Sequence, residues 1–325
     1  MSFPPFVSLS LAYLLDQTLG DPHFRLHPVR LLGDIGEIGR RIWYAWGRLG
    51  GLLTLLFSAA CFMPVAYLLG GLPLGEAVLI YFFIAERALC QEAMLVGEAL
   101  AQGRLDLARL RLSRLVGRET KDLDLSQCVR AAVETVAENF TDAFVGPLFW
   151  YLFGGVLGMT FYKCVETLDS MYGYKTPKWR QFGFFPAKVD DLLNFLPARL
   201  AALFLAFAAG LSGLSFKRAF QTMRQDARKH DSPNSGWTEA AMAGALGIEL
   251  GGEVVYHGKR FEKGRLGRPL RERRVEDIFV AVKIIKRAGF LFFLMILILE
   301  VGLWSLGFHN LIQMIWNVLK GVWIA

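Results

Sequence analysis

The chain has 325 residues, 54% of them hydrophobic and 20% charged, with a mean hydropathy of +0.37 and a formal net charge of +7. That apolar share exceeds the roughly 45–50% of an ordinary soluble domain, and apolar and charged residues fall into separate blocks, which excludes a soluble globular enzyme. The basic excess is concentrated in residues 216–288, with 16 Lys/Arg against 9 Asp/Glu; in so apolar a chain this points to a cytoplasmic segment near anionic lipid, with no nucleic-acid partner.

The N-terminus lacks a basic n-region and an A-x-A cleavage site, so Phe3 to Leu15 is expected to be a retained short or interfacial helix. Leu49 to Leu72 carries no charge and is long enough to cross a hydrocarbon core about 30 Å thick. It ends at the turn signal Gly70-Gly71-Leu72-Pro73, and Leu74 to Ala85 predicts a second arm crossing back. Leu100 to Val116 is amphipathic and predicts a soluble helix. Further apolar blocks run over Ala143–Tyr162, Phe195–Phe216 and Gly289–Phe308, and Gly154 and Gly158 have the spacing that lets helices approach closely. His257 to Arg274 is Gly/Arg-rich and reads as a loop, and Asn310 to Ala325 as a Trp-rich interfacial helix. Cys61, Cys90, Cys128 and Cys164 form no C-x-x-C pair and are expected to be free thiols.

The fold class expected is an all-α polytopic membrane protein with about 4–6 membrane helices. Residues 1–325 form a single membrane domain whose polar segments 86–142 and 217–287 face the cytoplasm. One difficulty is visible. Two full spans at 143–162 and 195–216 would place Lys163–Asn194 outside, although it carries Lys163, Lys175, Lys178, Arg180 and Lys188. A re-entrant segment would remove the conflict.

Five polar constellations stand at the ends of these blocks. Glu134, Glu138 and Asp142 are spaced i, i+4, i+8 on one helical face, a pattern of hard oxygen ligands that suits magnesium or a wet surface. Glu166 to Lys175 follows an apolar block, and Tyr172-Gly173-Tyr174 breaks its helix. Phe182 to Asn194 contains Lys188 and the acid pair Asp190-Asp191. In Asp226 to Glu239, Ser232 before Pro233 predicts an N-cap with Pro at N1. The helix beginning there is a ready anion site, with Asn234 and Ser235 in its first turn and Arg228, Lys229 and His230 just upstream. Asp21, His27 and Arg30 lie in Gly/Pro turns near the N-terminus. No Walker phosphate loop, dinucleotide fingerprint, nucleophile elbow or H-E-x-x-H motif is present.

The ordered set L-D-Q-T-L-G-D-P with H-P-V-R, E-T-V-A-E-N-F-T-D, T-L-D-S-M-Y-G-Y-K, F-F-P-A-K-V-D-D-L-L-N-F-L-P-A-R and H-D-S-P-N-S-G-W-T-E-A-A-M-A-G-A-L resembles the adenosylcobinamide-phosphate synthase family of cobalamin biosynthesis, from about Leu15 to Gly252. The resemblance implies an ATP- and magnesium-dependent membrane ligase. It joins the propionate carboxyl of adenosylcobyric acid to the amine of aminopropanol phosphate or aminopropanol, the carboxyl being activated first. Residue chemistry then suggests roles: Glu134, Glu138 and Asp142 for magnesium with Asp190 and Asp191 as a second acid pair; Arg228, Lys229, Ser232, Asn234, Ser235 and Lys188 for phosphates; and His230, Asp231 and Lys175 at the reacting groups. Phe182, Phe184, Phe185 and Trp237 are candidates for a corrin wall. The expected partners are the corrinoid and amino alcohol phosphate substrates, the lipid bilayer and other membrane enzymes of corrinoid synthesis. The site is placed on the cytoplasmic face of the cell membrane. Two other classes compete: a membrane-embedded magnesium-dependent prenyltransferase, suggested by Asn139-x-x-Asp142 and Asp190-Asp191, and a sensor or transporter on the same scaffold.

Overall fold

The computed structural model describes residues 3–22, 24–256 and 258–324. It is an all-α membrane protein with one small two-stranded ribbon. Stretches 28–70, 125–172 and 276–305 are long and apolar enough to cross a membrane, and a fourth is reached if residues 184–211 form one bent span. Three spans, or four with the bent pair, stand just below or at the lower edge of the sequence expectation.

The chain divides into two compact units, and the first comprises residues 1–85, 146–193 and 293–325. It opens with α1 (Pro5–Leu19) and the amphipathic α2 (Pro28–Trp43), each started by a proline at the first turn. A short 3-10 turn at Tyr44–Trp46 folds α2 back on α3 (Gly47–Gly70), which carries no charge from Leu49 on. The close approach needs glycine: a β-carbon at Gly39 would stand 2.7 Å from Thr54. The predicted second arm is not a span. It is α4 (Gly75–Phe83), nine residues that rise about 13 Å, and Ile84 then turns extended (φ −107°, ψ 148°).

The helix α8 (Gly146–Tyr172) settles the conflict over Lys163–Asn194. It is interrupted at Gly155, whose φ of 61° and ψ of −152° are reached readily only by glycine. There the chain reverses. A β-carbon at Gly158 would stand 2.5 Å from the Trp150 carbonyl oxygen, and Gly146 abuts the Tyr162 ring. In a straight helix residues 150 and 158 would be about 12 Å apart. The block is thus a hairpin whose two legs end side by side, so Lys163–Asn194 emerges at the end where Gly146 begins. Tyr162, Val165, Leu168 and Tyr172 of the returning leg pack with Leu55 of α3 and with Phe182 and Leu193, which flank or end α9 (Phe184–Leu193).

The second unit comprises residues 86–145 and 194–292. The amphipathic stretch predicted as one helix is two, α5 (Glu86–Ala101) and α6 (Leu105–Leu112), broken where Gly103 takes a φ of +70° and the Gly103 and Arg104 N–H groups close on Leu100 and Ala99 carbonyls. The next helix, α7 (Leu125–Phe140), starts with a reciprocal cap between Asp124 and Gln127 and runs into a π-turn at Thr141–Val145. Small residues knit the rest: Ala198, Ala201, Ala202 and Ala209 of α10 (Phe195–Leu211) are buried, as are Ala240, Ala241, Ala243 and Ala245 of α12 (Ser235–Leu246). Such faces associate by close packing where lipid offers no hydrophobic drive. A β-carbon at Gly244 would press on Thr222 of α11 (Phe216–Asp226), whose N-terminus Ser215 caps.

The segment 257–274 corrects the loop expectation, its first residue lying outside the described ones. Residues β1 (Leu250–Tyr256) and β2 (Lys259–Leu266) pair antiparallel with a bulge after Leu250. The ribbon is held by Arg130, which donates to the Gly251 and Glu253 carbonyls at 2.5 and 2.6 Å. Most β2 side chains are exposed, so no alternating apolar pattern marks it in the sequence. The last helices are α13 (Glu276–Ser305), which starts well before the predicted Gly289, and α14 (Leu311–Ile324). The four cysteines are free thiols, as expected.

Candidate functional site

The second unit gathers two of the five constellations, residues 134–142 of α7 and its π-turn and residues 226–239 around the start of α12. The three α7 carboxylates do not share a task. Glu134 is buried; its Oε2 accepts from Arg118 at 2.6 Å and its Oε1 from the Gly251 N–H at 2.7 Å. Glu138, one turn on, accepts from Ser235 Oγ at 2.8 Å. Asp142 lies in the π-turn, where the widened winding takes it off the regular face, and accepts from Asn194 Nδ2 at 3.0 Å. No group of three His, Cys, Asp or Glu side chains among the described residues converges as a preformed metal site.

The start of α12 differs from the predicted cap. The helix begins at Ser235, not after Ser232, and Ser232 acts from further upstream: its Oγ accepts from the N–H groups of Asn234 (3.3 Å) and Ser235 (3.2 Å). The Ser232 N–H donates to His230 Nδ1 at 3.0 Å. The donors expected to receive a phosphate are therefore largely used within the turn, and the Glu138 carboxylate, reached through Ser235 Oγ, is the anion nearest this helix end. Arg228 and Lys229 are exposed in a 3-10 turn, with Lys229 Nζ 2.6 Å from Asp226. Asp231 is exposed.

Behind this turn lies a residue to which sequence reasoning gave no role. Glu239 is 1% exposed, and its Oε1 is 3.3 Å from Nε2 of the buried His230 side chain, close enough for a proton to be exchanged but not aligned as a hydrogen bond. Burial pushes the Glu239 carboxyl well above the usual carboxylate range; the nearby Glu138 and Glu134 add to this, while Lys263 and Arg118 oppose it. Burial, helped by Lys263 and opposed by Glu138, lowers His230. Burial thus opposes ionisation of both groups, and because Nδ1 accepts from the Ser232 N–H, a neutral imidazole carries its proton on Nε2, the atom that faces Glu239. The only sequence signal was the acid closing the H-D-S-P-N-S-G-W-T-E motif. Arg199 was missed too: its guanidinium lies over the rings of Phe195 (3.5 Å) and Trp237 (4.6 Å), so Trp237 faces a cation.

The first unit gathers the other three constellations. His27 Nε2 pairs with Asp21 Oδ1 at 2.9 Å and fixes the turn before α2. The face of α2 carrying Gly33 and Gly36 packs on Met171 and Leu168 of the T-L-D-S-M-Y motif, and Tyr172 donates to Glu37 at 3.3 Å. Lys175 is exposed beyond the end of α8. On α9, Lys188 is exposed and pairs with Asp191 at 3.1 Å, and Asp190 precedes that acid on the same helix. Phe182 is fully buried against Tyr44 and Tyr172, a core position and no ligand wall; Phe184 packs under Arg48 at 4.2 Å and edge-on to Phe185.

A family model described as "CobD/Cbib protein" matches residues 9–285. The chain belongs to the CobD/Cbib family. Among its relatives, the cobalamin biosynthesis protein CobD of Leptospira interrogans is 36% identical over 308 residues, covering 90% of this chain and 97% of that protein. The CobD proteins of Photorhabdus laumondii and Pelobacter propionicus are 40% and 43% identical, covering 90% and 81% of this chain and 97% and 85% of their own lengths. No solved structure matches. A CobD/Cbib protein thus acts in cobalamin biosynthesis from the membrane, and both polar clusters lie inside the family match.

Proposed function

We propose that this CobD/Cbib protein is an ATP-dependent amide ligase of the cell membrane that joins an amino alcohol phosphate to the propionate carboxyl of adenosylcobyric acid. The observation that carries the reading is the unbroken order of the five motifs inside the family match, with the His230–Glu239 pair buried behind one of them. A carboxylate is a poor electrophile, and magnesium-ATP supplies the phosphoryl group that activates it. Amide formation then needs a base for the ammonium proton and cations for the charge that develops. Asp231, exposed on the turn, is the base available for that proton, with His230 buried behind it and its Nδ1 already accepting from the Ser232 N–H. That bond fixes the imidazole with Nε2 beside Glu239. Arg228, Lys229 and Lys175 are exposed cations available to phosphates, with Lys188 beside Asp191.

Magnesium commonly takes one or two carboxylates and completes its shell with water and nucleotide phosphates. Glu138 and Asp142 fit such a partial site, whereas both Glu134 oxygens are already taken by Arg118 and Gly251. Asp190 and Asp191 offer the same chemistry in the other unit. The basic 216–288 stretch supports a cytoplasmic site, where ATP is found.

The test is direct. Purified protein in lipid nanodiscs is given adenosylcobyric acid, magnesium-ATP and aminopropanol phosphate. Formation of adenosylcobinamide phosphate with equimolar ADP supports the ligase. Absence of product in protein that melts cooperatively leaves the sensor or transporter class in its place, and diphosphate release from a prenyl substrate would assign a prenyltransferase.

A further inference from the structure

The first unit holds two carboxylates inside its apolar body that the ligase reading leaves unused. Glu76 lies in the first turn of α4, just past the turn that ends α3, and Glu300 lies near the end of α13. Both stand at the end of the unit where the α8 hairpin has its tip. Gly70 packs against Val156 there, and Asn310, just beyond α13, comes close to Gly155. Tyr151, one turn before Gly155, brings its hydroxyl within 3.0 Å of Glu76 Oε1 and 3.3 Å of the Pro5 carbonyl oxygen. The Ser8 hydroxyl of α1 donates to the same carboxylate. The α1 helix also lies against α13, with Tyr13 stacked on Phe293 at 4.1 Å between ring centroids. Running from that contact toward the hairpin tip, α1 reaches Ser8 in about 8 Å and α13 reaches Glu300 in about 10 Å.

Glu300 is 1% exposed, and neither of its oxygens has a hydrogen-bond partner among the described residues. It is nonetheless within electrostatic reach of Glu76 and Tyr151. Among the described residues no lysine or arginine pairs with either acid, and the base whose charge reaches Glu76 is His309, beyond the end of α13. An uncompensated acid in the hydrocarbon region is expensive and marks a functional site. Direct proton sharing does not meet this geometry. Two acids that share a proton touch within hydrogen-bond distance, and Glu300 touches no such partner. An ion does meet it, because two oxygens bound to one cation of calcium's size stand up to about 5 Å apart. The donors are all oxygen: two carboxylates, the Tyr151 and Ser8 hydroxyls and the Pro5 carbonyl. Two negative charges match one divalent ion. Calcium takes carboxylates and carbonyls in irregular shells, whereas magnesium demands a near-ideal octahedron and keeps several waters, which a pocket walled by apolar helices does not supply.

We infer that Glu76 and Glu300 bind one divalent cation, calcium by its coordination chemistry, between α1, α4, α8 and α13 at the hairpin-tip end of the first unit. Lys283, Lys286 and Arg287 stand near the start of the same α13, Arg287 about 20 Å along the helix from Glu300. The positive-inside rule puts that basic end in the cytoplasm, so the ion enters from the other face. Bound there, it clamps α1 and α4 onto α13. The site is separate from any nucleotide-bound magnesium, whose candidate carboxylates lie in other clusters, and it does not depend on the ligase reading.

Chelator-washed protein in phosphatidylcholine nanodiscs, without ATP or corrinoid, is titrated with radiolabelled calcium and melted with and without it. Saturable binding of one ion per chain is expected, with a thermal midpoint several degrees higher in calcium. Glu300→Gln and Glu76→Gln should each weaken binding about tenfold or more, as loss of a charged ligand does, and remove the thermal shift. Glu138→Gln and Asp190→Asn should change neither. Glu300→Gln removes an uncompensated buried acid, so in chelator it should melt at or above the wild-type midpoint, which separates a lost ion from a lost fold. Glu300→Asp, which keeps the charge but shortens its reach, is the second variant and should also bind more weakly. No saturable binding by wild type, or full binding by both glutamine variants, overturns the site. A shift produced equally by sodium, or by acidification without calcium, overturns the divalent ion, and an equal shift from magnesium overturns the assignment to calcium.

Discussion

His230 Nε2 stands 3.3 Å from Oε1 of Glu239, and neither atom hydrogen-bonds to a described residue. The folded value of Glu239 lies above its unfolded one. Its favourable contribution is therefore complete below the ordinary carboxylate range and is lost as pH rises through the folded value. His230 is shifted down, so its contribution is present above its ordinary 6.5 and is lost as pH falls. Glu239→Gln removes the alkaline loss without changing shape. Its stability should exceed that of wild type at alkaline pH, by about 1–3 kcal/mol, the scale of a buried polar group without a partner. Thermal melts in nanodiscs from pH 5 to 9 measure this; parallel curves for the two proteins would show that Glu239 does not store the proton.

Arg118 and Glu134 form an ion pair in which each side chain is 5% exposed. Removing one member leaves a buried charge uncompensated, so Arg118→Ala should destabilise by about 3–5 kcal/mol. Replacing both with methionine should restore much of the loss, because the desolvation of two charges disappears with them. Excess magnesium should not rescue Arg118→Ala, since the one Glu134 oxygen it opens is buried, the other stays on the Gly251 N–H, and no group of three candidate ligands converges among the described residues. Melting temperatures of the three proteins at low and high magnesium decide it, and magnesium rescue of Arg118→Ala would return Glu134 to the metal.

Much of this was legible in advance, and the exceptions share a cause. The placing of Glu134 and Glu138 one turn apart on α7, the helix break at Tyr172–Tyr174 and the charge-free run from Leu49 follow from local spacing. What local spacing does not carry is the partner. Glu134 is claimed by Arg118, 16 residues upstream in a loop, and by Gly251, 117 residues downstream in the ribbon. The ribbon itself was unreadable because Arg130 grips its backbone, leaving the side-chain pattern unconstrained. Gly154 and Gly158 did announce a close approach, but the approaching helix is the continuation of their own chain. Glu239 was in plain sight inside a motif, yet among small apolar residues nothing but its burial distinguishes it.

The reversal at Gly155 makes a topological prediction. Gly70 at the end of α3 packs against Val156 at the hairpin tip, while Tyr174 follows the returning leg to the opposite end. Cysteines introduced at Gly71 and Tyr174 should label with a membrane-impermeant maleimide from opposite faces of sealed vesicles. Labelling of both from one face would contradict the hairpin. Gly155→Ala should lower stability by about 1–3 kcal/mol, because an L side chain is strained in that backbone region.

Glu138 is the carboxylate of the ladder best placed to test the metal. It is only half-buried, and of its hydrogen bonds the one to Ser235 Oγ ties α7 to the first turn of α12. Glu138→Gln keeps an oxygen for Ser235 but loses the charge; Ser235→Ala keeps the charge but loses the tether. If Glu138 holds magnesium with the nucleotide, Glu138→Gln should raise the magnesium concentration for half-maximal ligase activity about tenfold or more, as loss of one charged ligand interaction does. Ser235→Ala should shift it less. Asp142→Ala should behave like Glu138→Gln, the hydrogen bond from neutral Asn194 carrying no charge to replace. Full activity of Glu138→Gln at low magnesium would remove this helix end from the metal and leave the Asp190–Asp191 pair as the candidate, where the corresponding alanine variants give the same readout.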